Sequence, residues 1–173
     1  MQFQILEAVQ VLERAPAVMD SILRGQSPVW LNARMDPDSF SPIDVLGHLI
    51  YGELTDWIPR ARIILEHRDS RAFDPFDRRG FTSLIENKPI GDLLDQFADL
   101  RRKSIETLHS LALNDEKLDL PGQHPGLGRV TMRQLLATWV VHDLNHIDQV
   151  LRILSNEYRD AVGPWREYLS IVK

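Results

Sequence analysis

The sequence predicts an all-α protein, a four-helix bundle with a short C-terminal helix. Three observations lead there. Four long segments carry apolar residues at helical spacing, start and stop signals stand at their borders, and no run alternates convincingly as a strand. With 173 residues, 43% of them hydrophobic, the chain is expected to form one domain over 1–173 around a sizeable core.

The first segment, residues 2–24, places Phe3, Leu6, Val9, Leu12, Val18, Met19, Ile22 and Leu23 mostly on one helical face. Pro16 should kink or restart it, and Gly25 is placed to stop it. Residues 26–40 read as a connector, with Trp30 and Leu31 packing over the bundle. The second helix opens on Ser41-Pro42-Ile43-Asp44, with Ser as N-cap, Pro in the first turn and an acid behind it. It continues through Leu65, with a second kink expected at Pro59. Residues 67–88 read as a long irregular connection of the kind that forms functional lids.

A third helix spans roughly Pro89–Leu113, with Leu93, Leu94, Phe97, Leu100, Ile105 and Leu108 on its stripe. Residues 114–130 contain Pro121-Gly122, Pro125-Gly126 and Gly128, and are expected to be loop. The fourth helix is the strongest: Thr131 and Gln134 make a capping box, and the apolar stripe then runs to Leu154. A tail from Pro164 to Ile171 is predicted to close one end of the bundle with Trp165, Tyr168 and Leu169.

Charge and composition narrow the function. A net charge of −5 gives no reason to expect a nucleic-acid or anionic-membrane partner. No apolar run is long enough to span a bilayer, and Met1-Gln-Phe-Gln-Ile-Leu-Glu lacks the basic start of a signal peptide, so a cytoplasmic location is expected. Cysteine is absent, which excludes disulfides, iron–sulfur clusters and thiol nucleophiles. A metal site would have to be built from histidine, carboxylate and water.

Such a site is suggested on the fourth helix. His142 and His146 stand four residues apart, one above the other on one face, and can bind one metal ion together. The catalytic Glu of zinc peptidases is missing from His-Asp-Leu-Asn-His, so that chemistry does not fit. A third ligand must come from a facing helix, since bundles build metal sites from inward-pointing side chains. His48, among Leu46, Leu49 and Ile50, qualifies, and Gly47 beside it permits close packing. His67 and His109 are weaker candidates, and His124 could line a pocket mouth. Asp44 and Gln149 are the nearest candidates to orient the imidazoles, while Asp143 and Asp148 are expected on the flanks. Glu53 is the one suggestion for a general base, its alternative being a solvated acid.

The run Ser-Pro-Ile-Asp-Val-Leu-Gly-His-Leu-Ile-Tyr-Gly-Glu, followed by Gly-Arg-Val-Thr-Met-Arg-Gln-Leu-Leu and His-Asp-Leu-Asn-His-Ile-Asp-Gln-Val, resembles the DinB-like superfamily of damage-inducible and YfiT-like metal-dependent hydrolases. The likeness extends over nearly the whole chain, including Asp-Pro-Phe-Asp-Arg in the long connection. It implies an up-down-down-up bundle, a homodimer, and a divalent metal, nickel or zinc, on His48, His142 and His146. It also implies a small-molecule substrate, with thiol-dependent transferases using mycothiol or bacillithiol among the relatives. The expectation is therefore a metal-dependent hydrolase or thiol-dependent transferase. The alternative is a non-catalytic bundle that binds a ligand or partner around a structural metal.

Overall fold

Residues 2–173 are described by a computed structural model, and Met1 lies outside them. Four rods carry the fold: α1 (Ile5–Leu23), a second rod broken into α3 (Pro42–Thr55) and α4 (Trp57–His67), α6 (Ile90–Ser110) and α8 (Met132–Asn156). Single-turn helices α2 (Pro28–Leu31), α5 (Thr82–Ile85) and α7 (Asp115–Leu118) sit in the connections. An antiparallel hairpin, β1 (Pro121–His124) with β2 (Gly128–Thr131), precedes α8. It departs from the all-α expectation, in a segment predicted to be loop, and an isolated bridge joins Ala72 to its Gln123.

Pro16 does not restart the helix, and Pro59 resolves differently from expectation. Pro16 leaves α1 uninterrupted. Proline lacks the N–H that would bond four residues back, and the freed carbonyl, that of Leu12, accepts instead from Arg101 Nη1 at 2.8 Å. Pro59 does not kink a continuous helix. The chain breaks at Asp56, and Pro59 becomes the third residue of α4, where an N–H would have no helical acceptor anyway. Gly25, at φ +76°, ends α1 in the left-handed conformation that glycine adopts without strain.

The rods form a four-helix bundle of the up-down-down-up kind. α1 lies against α6 and α8, and α3 lies against the same two. Rods joined through residues 24–41 and 111–131 therefore stand diagonally opposite each other. The expected closing tail does not close the bundle: residues 163–168 and 170–172 are 3₁₀ turns, Trp165 and Tyr168 stand in solvent, and only Val172 is buried.

Two apolar clusters fill the interior. One gathers Leu12, Trp57, Phe73, Ile105 and Trp139, with Trp57 and Trp139 stacked at 5.7 Å. The other gathers Met19, Leu23, Leu46, Ile50, Phe97 and Val150. Between them lies a charged layer. The Arg101 guanidinium is held between the Phe97 and Trp139 rings, 5.1 Å from each centroid. It donates to Glu53 at 2.8 and 3.0 Å and to Asp143, and Trp139 Nε1 donates to the same Glu53 oxygen at 3.2 Å. Glu53 is thus neither a solvated acid nor a base in reach of a substrate, and Asp143 is wholly buried rather than on a flank. Ionised groups survive such burial only when paired.

Removing Arg101 would leave two buried carboxylates without a counter-charge. Arg101→Met is expected to lower unfolding free energy by about 3–5 kcal/mol, read from urea midpoints of metal-free protein. Adding Glu53→Gln should recover part of that loss.

Candidate metal centre

Two capping boxes aim the three histidines. In α3, Ser41 Oγ accepts from Asp44 N at 3.3 Å and Asp44 accepts from Ser41 N at 2.9 Å. The same carboxylate pairs with Arg34 at 2.7 Å. Asp44 is thereby committed to starting the helix and does not orient His48, as had been expected of it. In α8, Gln134 N donates to Thr131 Oγ1 at 3.2 Å and Thr131 N to Gln134 Oε1 at 2.9 Å. That cap sets the helical phase in which Leu135, Leu136 and Trp139 point into the core. His142 and His146 then fall at the border of the buried stripe.

The three imidazoles converge. His142 Nε2 lies 3.1 Å from His48 Nε2 and 3.2 Å from His146 Nε2. A nitrogen of each falls within 4.8 Å of the others. His146 Nδ1 meets Gln149 Oε1 at 2.8 Å, the orienting contact expected of Gln149. With that amide oxygen accepting, His146 carries its proton on Nδ1 and presents an Nε2 lone pair to the centre.

This arrangement is poorly satisfied by the protein alone. His142 Nε2 has one site, a proton or a lone pair, and faces two neighbouring nitrogens. If it donates, its Nδ1 is a bare acceptor, and that atom has no hydrogen-bond partner and lies 3.9 Å from Asp143 Oδ1. Two buried acceptors then lie 3.9 Å apart with no donor to either. If Nε2 instead gives its lone pair to a cation, Nδ1 bears a hydrogen, and the unpartnered carboxylate oxygen 3.9 Å away is an acceptor rather than a second bare lone pair beside it. Two nitrogens bound about 2.0–2.1 Å from a tetrahedral zinc stand about 3.3 Å apart, close to the spacing found. The donor set therefore fits a divalent cation.

Electrostatics favours neutral, lone-pair-bearing rings at His48 and His146. Burial, and then the neighbouring His146 and His142, lower the His48 pKa to about 3. Burial, followed by His142, lowers His146 to about 4. Neutral imidazole is the form that ligates.

The histidines form part of the wall of a cleft of about 850 Å³. Above His48 runs the connection from α4 to α6, pinned by the buried Phe73 and Phe81. Phe73 N donates to Gln123 O of β1 at 2.9 Å, tying this connection to the hairpin. Phe81 and Ile85 occupy the space that a side chain at Gly47 would need, so the close approach Gly47 permits is that of this connection rather than of a long helix. Phe76 stands edge-on to His48 at 5.3 Å. His124 lies on the cleft wall, as expected for a pocket mouth, whereas His67 and His109 do not line it.

Several cleft residues escaped sequence reasoning. Asp56 and Arg60 form a buried ion pair on the wall, and burial raises the Asp56 carboxyl above its usual pKa against the opposing pull of Arg60 and His142. Arg78 and Arg79 line the mouth. Gln134, Thr138 and Asn145 line the α8 side. These three were detectable: with His142, His146 and Gln149 they make a polar stripe at three- and four-residue spacing along one helix.

A family model for the DinB superfamily matches residues 11–150. Among solved structures, YfiT from Bacillus subtilis, described as a probable metal-dependent hydrolase with an unusual four-helix bundle topology, superposes with a TM-score of 0.75. It is 19% identical, over 87% of this chain and 86% of that one. The four-helix bundle protein TT2238 is 21% identical, over 84% of this chain and 96% of that one, with a TM-score of 0.54. No curated protein sequence matches. At such identities the structures speak for the fold, while the family match spans most of the chain: this protein belongs to the DinB superfamily.

Proposed function

We propose that this protein is a divalent-metal-dependent enzyme, with nickel or zinc on His48, His142 and His146. It would act as a hydrolase or thiol-dependent transferase on a small molecule. The observation that carries the reading is the convergence of three imidazole nitrogens on one point in the wall of a cleft. The description of YfiT as a probable metal-dependent hydrolase supports it.

A cation bound there would supply a Lewis acid with at least one open position, able to acidify a water or a thiol. The chain's own residues do the rest. Gln149 fixes the His146 ring through Nδ1. Asp143, held in place by Arg101, faces the Nδ1 proton that His142 carries when its other nitrogen ligates. Phe40 and Phe76 pack beside the His48 ring, with centroids 5.7 and 5.3 Å from the imidazole. Asp56, paired with Arg60, is the buried carboxylate on the cleft wall, whereas Glu53 does not line it. A cleft of about 850 Å³ suits one small molecule.

Untagged protein is expected to hold near one equivalent of metal by plasma mass spectrometry, lost in His48→Ala and in His142→Ala. A folded wild type that stays empty after nickel and zinc supplementation would end this reading. Asp143→Asn should weaken metal affinity about 10–100-fold, measured by chelator competition on protein whose folding is checked by circular dichroism.

The lowered histidine pKa values also set a pH dependence for the metal-free protein. Against an ordinary value of 6.5, His48 and His146 titrate at about 3 and about 4. Between those limits the unfolded chain binds more protons, so stability rises with pH and is lost on acidification. The melting temperature of metal-free protein should fall as pH drops from about 6.5 towards 4, and His48→Leu should flatten the decline. A decline of equal steepness in that variant would contradict the assignment.

A further inference from the structure

The cleft lining contains three arginines, Arg60, Arg78 and Arg79, but two aspartates, Asp38 and Asp56. Arg60 and Asp56 are committed to each other. Arg79 lies over the Phe40 ring and donates to the backbone carbonyl of Asp38 at 3.0 Å, not to a carboxylate. The adjacent Asp77 carboxylate is turned onto the Arg79 backbone N–H at 2.9 Å, where it shapes the turn. Arg78 makes no ion pair among the described residues, and its charge reaches His48, adding to the forces that keep that ring neutral.

Two cations are therefore presented at the mouth of a cleft in a chain whose net charge is −5. They are not on a free-swinging loop. The segment bearing them is pinned by Phe73 and Phe81 in the core, and Gly80, next to Arg79, packs so tightly on Tyr51 that an added Cβ would fall 2.4 Å from its ring. Phe40 and Phe76 give the same wall an apolar surface. Guanidinium groups match the geometry of carboxylate and phosphate oxygens, and charge-assisted bonds to them are strong.

We infer that the cleft selects a small molecule bearing an anionic oxygen group, carboxylate or phosphate, which Arg78 and Arg79 hold while its remainder reaches the three histidines. The inference names the substrate class for the proposed metal site and rests on that reading for the role of the histidines. The anion contact itself belongs to the protein with or without metal.

The test is an NMR titration of ¹⁵N-labelled, metal-free protein at low salt. The probes are succinate, inorganic phosphate and succinamide, the last a neutral counterpart of succinate. The expected result is that at least one anion shifts the resonances of residues 76–81 and succinamide does not. Whether succinate or phosphate binds more tightly identifies which oxyanion is preferred. The double variant Arg78→Gln/Arg79→Gln alters exposed side chains and should fold normally by circular dichroism while binding the anion at least about tenfold more weakly. Equal binding of succinamide and succinate, no binding of either anion, or unchanged anion affinity in the double variant would each overturn the inference. Metal content measured on nickel- or zinc-supplemented portions of the same preparations separates the two readings. Anion binding with no metal uptake overturns the metal reading alone, and metal uptake with no anion binding overturns this one alone.

Discussion

One guanidinium touches all four rods. Arg101 stands on α6, donates to the orphaned Leu12 carbonyl of α1, and pairs with Glu53 of α3 and Asp143 of α8. Each contact answers a separate problem. The Leu12 carbonyl lacks its helical donor because of Pro16, and the two carboxylates could not stay ionised in a dry interior alone. The planar fork serves three acceptors at once, which a lysine ammonium on a flexible stem would not do with the same fixed geometry. The two apolar clusters lie on either side of this layer and are joined through it by Phe97 and Trp139.

The histidine site depends on the same layer. Asp143 follows His142 directly, and with one oxygen drawn to Arg101 its other oxygen is left facing the imidazole. The carboxylate beside the ring that sits between the other two histidines is thereby held by the charge at the centre of the bundle. On the opposite side, the α4–α6 connection and the hairpin wall the site in. Their mutual bond, from Phe73 N to Gln123 O, means that the two walls of the cleft are one structure.

Much of this was legible because it is local. A helix N-cap and its partner lie three residues apart, so Ser41, Thr131 and the helices they begin could be read directly. The i, i+4 pair His142 and His146 needed only helical geometry, and His48 needed only an apolar neighbourhood. The burial of Glu53 and Asp143 was not legible, because their partner Arg101 is 48 and 42 residues away. Acids off the apolar stripe read as solvated until such a partner is known. The hairpin was hidden for another reason. Pro121-Gly122-Gln123-His124 has no apolar alternation, and what admits it is the close fit of Gly122 against Ile64 and Phe73. Arg78 and Arg79 lie in the connection read as a candidate lid, but their place on the cleft was not legible, because a loop arginine acquires meaning only from what it overhangs.

The diagonal placement of successive rods bears on how the chain is made. α1 and α3 emerge first from a ribosome, yet neither is the other's main neighbour, and each needs α6 and α8 to cover its apolar face. Domains synthesised from the N-terminus fold only when their contacts have been translated. Two of the three histidines lie on α8, the last of the long helices. A chain that ends before α8 therefore carries His48 without its two partners. The three-histidine cluster comes into being together with the finished bundle, so the nascent polypeptide cannot hold a cation in that cluster before then.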